Sequence, residues 1–343
     1  GVIVLAVAIL PMLGIGGMQL YKAEIPGPMK ESKLTPRIAE TAKALWYVYL
    51  AITIACALAY WLAGMTVFDA ICHSFSTVST GGFSTHDASM AYWNSTPIDI
   101  IATVFMLIGG ISFALHFAVW RGKSLLAYMR DPECRFFLGL MLLYMLMVGG
   151  GLLVFGVHEA PGEATRHAAF QVASFGTGTG LTSTNAAAWP GFIPLLLVFT
   201  SFIGGCAGST AAGMKVVRAA LVFRHSIREL RRLIYPNGVF ALRFGKHVVN
   251  DRVLQAVWGF VGVYITLSVI FTLLFTTTGM DLTTAVSAVA ASINNLGVGI
   301  GQVGGGFANI TDEAKWMMTL LMLLGRLEIF TFLVLFTPLF WRQ

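Results

Sequence analysis

Three short runs carry residue types that can coordinate a cation: Ser79-Thr80-Gly81-Gly82-Phe83, Thr177-Gly178-Thr179-Gly180-Leu181 and Asn295-Leu296-Gly297-Val298-Gly299. A dehydrated alkali cation needs a ring of oxygen dipoles in place of its water shell. Backbone carbonyls supply such a ring when the chain is extended and its carbonyls turn to one side. Glycine reaches the required backbone angles without steric cost. Serine and threonine add hydroxyl oxygens. No acid occurs in the three runs, whereas a ring of carboxylates would point towards calcium or sodium. Carbonyl and hydroxyl oxygens alone favour potassium, the larger ion and the cheaper one to dehydrate. The candidate ligands are Val78, Ser79, Thr80, Gly81 and Gly82 in the first run, Thr177, Gly178, Thr179 and Gly180 in the second, and Asn294, Asn295, Leu296 and Gly297 in the third. Aligning the glycine that precedes an apolar residue places Gly82, Gly180 and Gly297 in one central ring.

Each run follows an apolar stretch of about 12 residues, near 67–78, 164–175 and 282–293. These are too short to cross a bilayer, which takes roughly 20 residues, so they read as re-entrant helices. Spans are expected at about 2–21, 44–64, 98–119, 136–157, 252–276 and 316–340, with a further long one, broken in its middle, at 189–224. The connections 22–43, 120–135 and 215–252, with Arg342, hold 19 of the 22 lysines and arginines. Those connections are cytoplasmic by the positive-inside rule, so the short helices enter from the outside. Their C-termini would face the glycine runs with a partial negative charge, which attracts a cation.

The order span, short helix, glycine run, span therefore recurs three times, at a spacing near 100 residues. The expected fold is an all-α integral membrane protein of repeated helix–pore-loop–helix units around a pseudo-fourfold pore. Residues 40–122, 134–224 and 252–343 form units two, three and four, and 225–251 is a basic cytoplasmic connection. Residues 1–24 are expected to be the second span of an incomplete first unit, because three loops leave a gap that a fourth would close. The composition agrees with this class. Of 343 residues, 57% are hydrophobic and 11% charged, mean hydropathy is +0.77, and soluble domains carry about 25% charged residues. The net charge of +6 resides in the cytoplasmic connections and calls for no nucleic acid.

Span 189–224 is interrupted by Gly204-Gly205-Cys206-Ala207-Gly208-Ser209-Thr210-Ala211-Ala212-Gly213. Irregular backbone at membrane depth must line a wet cavity or be buried in protein. One reading makes Gly204, Gly205, Ala207, Gly208, Ser209, Thr210 and Gly213 an intramembrane gate. The other makes these small residues a close helix contact. Arg326 lies within span 316–340, with Glu328 two residues on. A charge at membrane centre is expensive, so Arg326 is expected to face the cavity and to reach carbonyls of 204–213; the alternative is a structural ion pair. The nine basic residues of 215–252, against Glu229 and Asp251, suit either anionic lipid or an acidic regulatory protein.

These segments, with LGIGGMQLYKAE (13–24), LTPRIAETAKALWYVYL (34–50), STVSTGGFSTHD (76–87), SFGTGTGLTSTN (174–185), FIGGCAGSTAAGMKVVR (202–218), NNLGVGIG (294–301) and LLGRLEIFTFLVLF (323–336), resemble the Trk/Ktr/HKT superfamily of potassium transporters, in particular its bacterial Trk branch. The resemblance covers nearly the whole chain. It implies four units around one potassium pore, a homodimer in the bacterial inner membrane, a gating loop at 204–213, a pore arginine at Arg326, and gating by a cytosolic nucleotide-binding ring of the TrkA type. It departs where the first filter and its flanking spans would stand.

Other classes find less support. Cys56, Cys72, Cys134 and Cys206 lack metal-site spacing and read as buried small hydrophobes. His73, His86 and His116 form no ligand pair. No nucleophile–base constellation points to an enzyme, and no bound cofactor is implied. No phosphate-binding glycine motif is present, so nucleotide would act only through a partner. The alternative to a passive pore is a secondary transporter coupling potassium to sodium or protons. Such carriers use intramembrane acids, and Glu328 is the single mid-span candidate.

Overall fold

The computed structural model describes residues 38–341 apart from 159, 246, 305 and 328. The expected span 2–21, most of connection 22–43 and Glu328 lie outside the described residues. Among the described residues, three helices are long and apolar enough to cross a bilayer: α1 (Ile38–Leu62), α6 (Pro132–Val154) and α10 (Asp251–Thr277). Each precedes a short helix: α2 (Val67–Val78), α7 (Pro161–Thr177) and α11 (Leu282–Ile293). At 1.5 Å per residue, the 12 residues of α2 or α11 give about 18 Å, well under a hydrocarbon core of about 30 Å.

The short helices start where their sequences provide caps. Thr66 accepts from the amide of Asp69 ahead of α2, Asp281 accepts from that of Thr284 ahead of α11, and Pro161 with Glu163 opens α7. Side-chain oxygens there satisfy orphan amides, and acids suit the positive end of the helix dipole.

The second span of every unit is broken, which corrects the expectation of continuous spans at 98–119 and 316–340. In unit two, α3 (Thr96–Gly109) and α4 (Phe113–Gly122) meet at 95°. After the short α5 (Leu126–Arg130), unit three follows with α8 (Ile193–Ile203) and α9 (Val216–Ile234), which flank loop 204–215. Unit four has α12 (Asp312–Arg326), then the shorter α13 (Ile329–Val334) and α14 (Pro338–Trp341). The breaks align on Leu107-Ile108-Gly109-Gly110, Phe202-Ile203-Gly204-Gly205 and Leu323-Leu324-Gly325-Arg326. The glycines have a packing reason. A β-carbon on Gly109 would press on the carbonyl of Val78, and one on Gly325 would overlap that of Ile293, so the unit-two and unit-four breaks lie against the ends of their own pore helices, while Gly204 packs on Ala212 of the loop.

The apolar core falls into clusters centred on each unit and shared with its neighbours. Cys56, Tyr60, Met90 and Met106 of unit two pack with Phe170 of unit three, Phe137, Met141, Leu152, Ile193 and Leu197 pack in unit three, and Phe271, Phe275, Val289 and Leu321 in unit four. Outside them the distribution inverts. Leu142, Leu146, Val154, Ile265, Val269 and Leu273 are exposed, while His73, Gln171, Thr177 and Asn294 are fully buried. That is the pattern of helices solvated by lipid around a polar interior. One departure from all-helical structure is a two-residue hairpin, β1 (Arg243–Phe244) with β2 (His247–Val248), which packs with the buried face of α9. The four cysteines are unpaired, and all but Cys72 are buried.

Candidate ion filter and gate

The three pore helices end alike. The amides of Thr80, Gly178 and Asn295 bond back to the carbonyls of Thr77, Phe175 and Ser292, and those of Gly81, Thr179 and Leu296 to Ser76, Ser174 and Ala291. This pairing is a Schellman motif, which needs a left-handed residue just past the helix. Thr80, Gly178 and Asn295 accordingly have φ of 54°, 71° and 50°. Two residues on, Gly82, Gly180 and Gly297 return to positive φ, at 72°, 80° and 77°. Left-handed residues spaced two apart turn successive peptides the same way, as a carbonyl-lined filter requires.

The strands also pack edge to edge. A β-carbon on Gly82 would overlap the carbonyl of Thr179, and one on Gly180 would overlap that of Leu296. Units two, three and four therefore stand side by side in chain order. At Gly297 no atom among the described residues lies within 4 Å of a built β-carbon. The pore helices bracket the outgoing strands: His73 Nε2 meets Ser84 Oγ at 2.9 Å, Ser174 Oγ donates to Leu181 O at 2.6 Å, and the Ile300 amide donates to Ser287 Oγ at 2.6 Å.

Several candidate ligands turn their side chains away from the strands' open face. The Thr177 hydroxyl donates to Ala173 O at 2.7 Å and pairs with that of Thr179 at 2.6 Å. The Asn294 amide is buried between Tyr264 and Ser201. Past the glycine ring, Asp87, Phe175, Thr182, Thr184, Asn185 and Val298 help line a cavity of about 350 Å³.

Loop 204–215 lies against the other end of the filter. Ala212 N donates to Thr177 O at 3.1 Å. Thr210 Oγ1 donates to Val78 O at 2.8 Å and to Gly109 O at 3.1 Å, and Thr80 Oγ1 donates back to Thr210 O at 2.8 Å. The carbonyls freed by the unit-two bend are used as well, Gly110 O by Cys206 N at 2.8 Å and Gly109 O by Thr210 N at 3.3 Å. Ala207 N donates to Glu133 Oε1 at 2.6 Å, and Lys215 Nζ donates to Ala211 O. A Cβ on Gly204 or Gly213 would run into the opposite limb of the loop, so those two glycines close its neck. Gly205 and Gly208 pack towards the unit-two bend, and Ser209 bonds within the loop.

Arg326 ends α12 and is exposed, and among the described residues no hydrogen bond joins it to the loop. The helix break puts it at a terminus rather than in mid-span. Sequence reasoning missed Glu133, which reads as an ordinary first-turn acid, and Tyr264, one aromatic in an apolar span. It also missed that Asp99 is buried and paired with Arg166 Nε at 2.7 Å, clamping α3 to α7. The opposite charges on the outer side were the available signal.

Lipid-facing helices, dipolar strands packed in order and a small-residue loop against their end define an integral membrane protein built to handle a cation. The chain matches the TrkH family, described as cation transport protein, over residues 1–342, and it belongs to that family. It is 54% identical to the Trk system potassium uptake protein TrkH of Vibrio parahaemolyticus, over all of this chain and 71% of that protein. It is 49% identical to TrkH of Escherichia coli, over all of this chain and 71% of that protein. The crystal structure of the potassium transporter TrkH from Vibrio parahaemolyticus superposes with a TM-score of 0.86 at 51% identity, covering 99% of this chain and 70% of that one.

Proposed function

We propose that this chain is a potassium uptake subunit of the bacterial inner membrane that conducts potassium passively through a carbonyl filter. The observation that carries the reading is the shared alternation of left-handed residues, Thr80/Gly82, Gly178/Gly180 and Asn295/Gly297. The three strands are three sides of the filter, belonging to units 40–122, 134–224 and 252–343. A like unit closes the fourth side, beside Gly297. The names of the relatives, potassium uptake proteins, support potassium as the ion carried.

Loop 204–215 is the gate. Its donors take up the carbonyls of Val78 and Thr177, the oxygens a leaving cation would need. Arg326, one residue past the packed Gly325, places positive charge near the inner end of the filter. The exposed arginines of α9, including Arg231 and Arg232, form the docking face for a cytosolic nucleotide-binding ring of the TrkA type, and the working unit is a homodimer. The test is potassium flux into liposomes holding the full-length protein. Wild type carries potassium in preference to sodium, and deletion within 205–212 raises flux without its regulator. Unchanged flux and regulation after that deletion would defeat the gate.

A further inference from the structure

Behind the fourth-unit strand runs a chain of buried hydrogen bonds. Tyr264 of α10 donates its hydroxyl to Asn294 Oδ1. Asn294 Nδ2 donates to Ser201 Oγ at 3.0 Å, and Ser201 Oγ donates to Val198 O at 2.7 Å. The exposures of Tyr264, Asn294 and Ser201 are 4%, 0% and 1%. Asn294 is the residue just before left-handed Asn295, so its side chain fixes where the strand leaves the pore helix. Gly325 packs on Ile293 O from another element. The strand is therefore held by three elements other than its own helix.

We propose that Tyr264 is a positioning residue for ion selection, acting through Asn294 and Ser201 to hold the 295–297 carbonyls at the radius that suits potassium. The inference rests on the potassium-filter reading above. Sodium is smaller, and carbonyls must close inward to replace its water shell. A strand pinned from behind resists that closure, because a locked outer layer of side chains sets the precision of the ligands it supports.

The other two strands are also braced from behind, by the Tyr60 hydroxyl with Thr77 Oγ1 at 2.8 Å and by Ser174 Oγ on Leu181 O at 2.6 Å, but each bonds to loop 204–215 as well. The Thr80 hydroxyl of the unit-two strand bonds to gate residue Thr210, and Thr177 of the unit-three strand accepts from gate residue Ala212. Loop withdrawal removes both bonds. The Tyr264–Asn294–Ser201 chain contains no loop residue, so it persists when the gate opens. Among the described residues the fourth-unit strand therefore keeps its full bracing when the gate opens, whereas the other two each lose a bond.

The experiment compares potassium and sodium flux through the full-length protein in liposomes, for wild type, Tyr264→Phe, Ser201→Ala and Ser201→Thr. Tyr264→Phe keeps the ring and deletes one donor. It should lower the potassium-to-sodium flux ratio by roughly tenfold or less, the range for one lost buried hydrogen bond, with potassium flux itself largely kept. Ser201→Ala should lower the ratio in the same direction, and Ser201→Thr, which keeps a hydroxyl, should restore it. The Tyr264→Phe/Ser201→Ala double variant should fall short of the product of the singles, since both cut one chain. A wild-type ratio in folded Tyr264→Phe overturns the proposal. If Tyr264→Phe fails to fold, an unchanged ratio in Ser201→Ala overturns it. A wild-type protein that does not prefer potassium would instead overturn the filter reading.

Discussion

At the scale of single residues, two glycines, Gly82 and Gly180, decide whether the strands can meet. Gly180 combines φ of 80° with a β-carbon position that overlaps the Leu296 carbonyl. Gly180→Ala should abolish selective potassium uptake, since a left-handed alanine costs about 1–2 kcal/mol before the overlap is relieved. Gly64, with φ of 104° but nothing within 4 Å, is the control. Gly64→Ala carries only the backbone cost and should leave flux near wild type, measured as uptake in liposomes. Thr210→Val keeps the shape and deletes the donor shared by Val78 and Gly109. Its expected effect is about 1–2 kcal/mol off the closed state, read as roughly tenfold higher flux without the regulator. The equivalence of Gly82, Gly180 and Gly297, which share a positive φ, was legible in the sequence because each precedes an apolar residue in a run without acids. The side-chain directions of Thr177 and Asn294 were not. A polar residue beside a filter can face the ion or the protein, and only the partners Ala173 and Tyr264, far apart in sequence, decide which.

At the scale of elements, the short helices were plain from composition and their bounds followed from capping. Asp281 is exposed enough to stay ionised, and hydrogen bonds from Thr284 hold its carboxyl below the usual range. That depression stabilises the folded state above the unfolded pKa of about 3.9 and is lost as pH falls through the lower, folded value. Asp281→Ala should cost about 1 kcal/mol at neutral pH, seen as a lower melting temperature, with the gap to wild type narrowing in acid. The breaks in the second spans were harder to read. Hydropathy does not fall at Gly109-Gly110 or at Gly325, since glycine is common in membrane helices. The repeated Ile/Leu-Gly pair is the sequence signal, and its reason, contact with the pore-helix end at Gly109 and Gly325 and with the loop at Gly204, is tertiary. Only the long insertion of unit three was visible as a break, because it adds 12 residues between α8 and α9.

At the scale of the whole molecule, the strands follow one another around an axis and the loop of unit three lies under two of them. The repeated order of long helix, short helix and glycine strand was readable from span length and composition. The contact between loop 204–215 and the unit-two strand was not, because the partners Thr80 and Thr210 stand 130 residues apart and neither is unusual in its own segment. Passive conduction is the central claim. Its most direct test is the reversal potential of the full-length protein in a planar bilayer, with potassium, sodium and proton gradients set independently. The account predicts that current reverses at the potassium equilibrium potential whatever the sodium and proton gradients. A reversal potential that moves with either of those gradients at fixed potassium would contradict it and establish a coupled carrier.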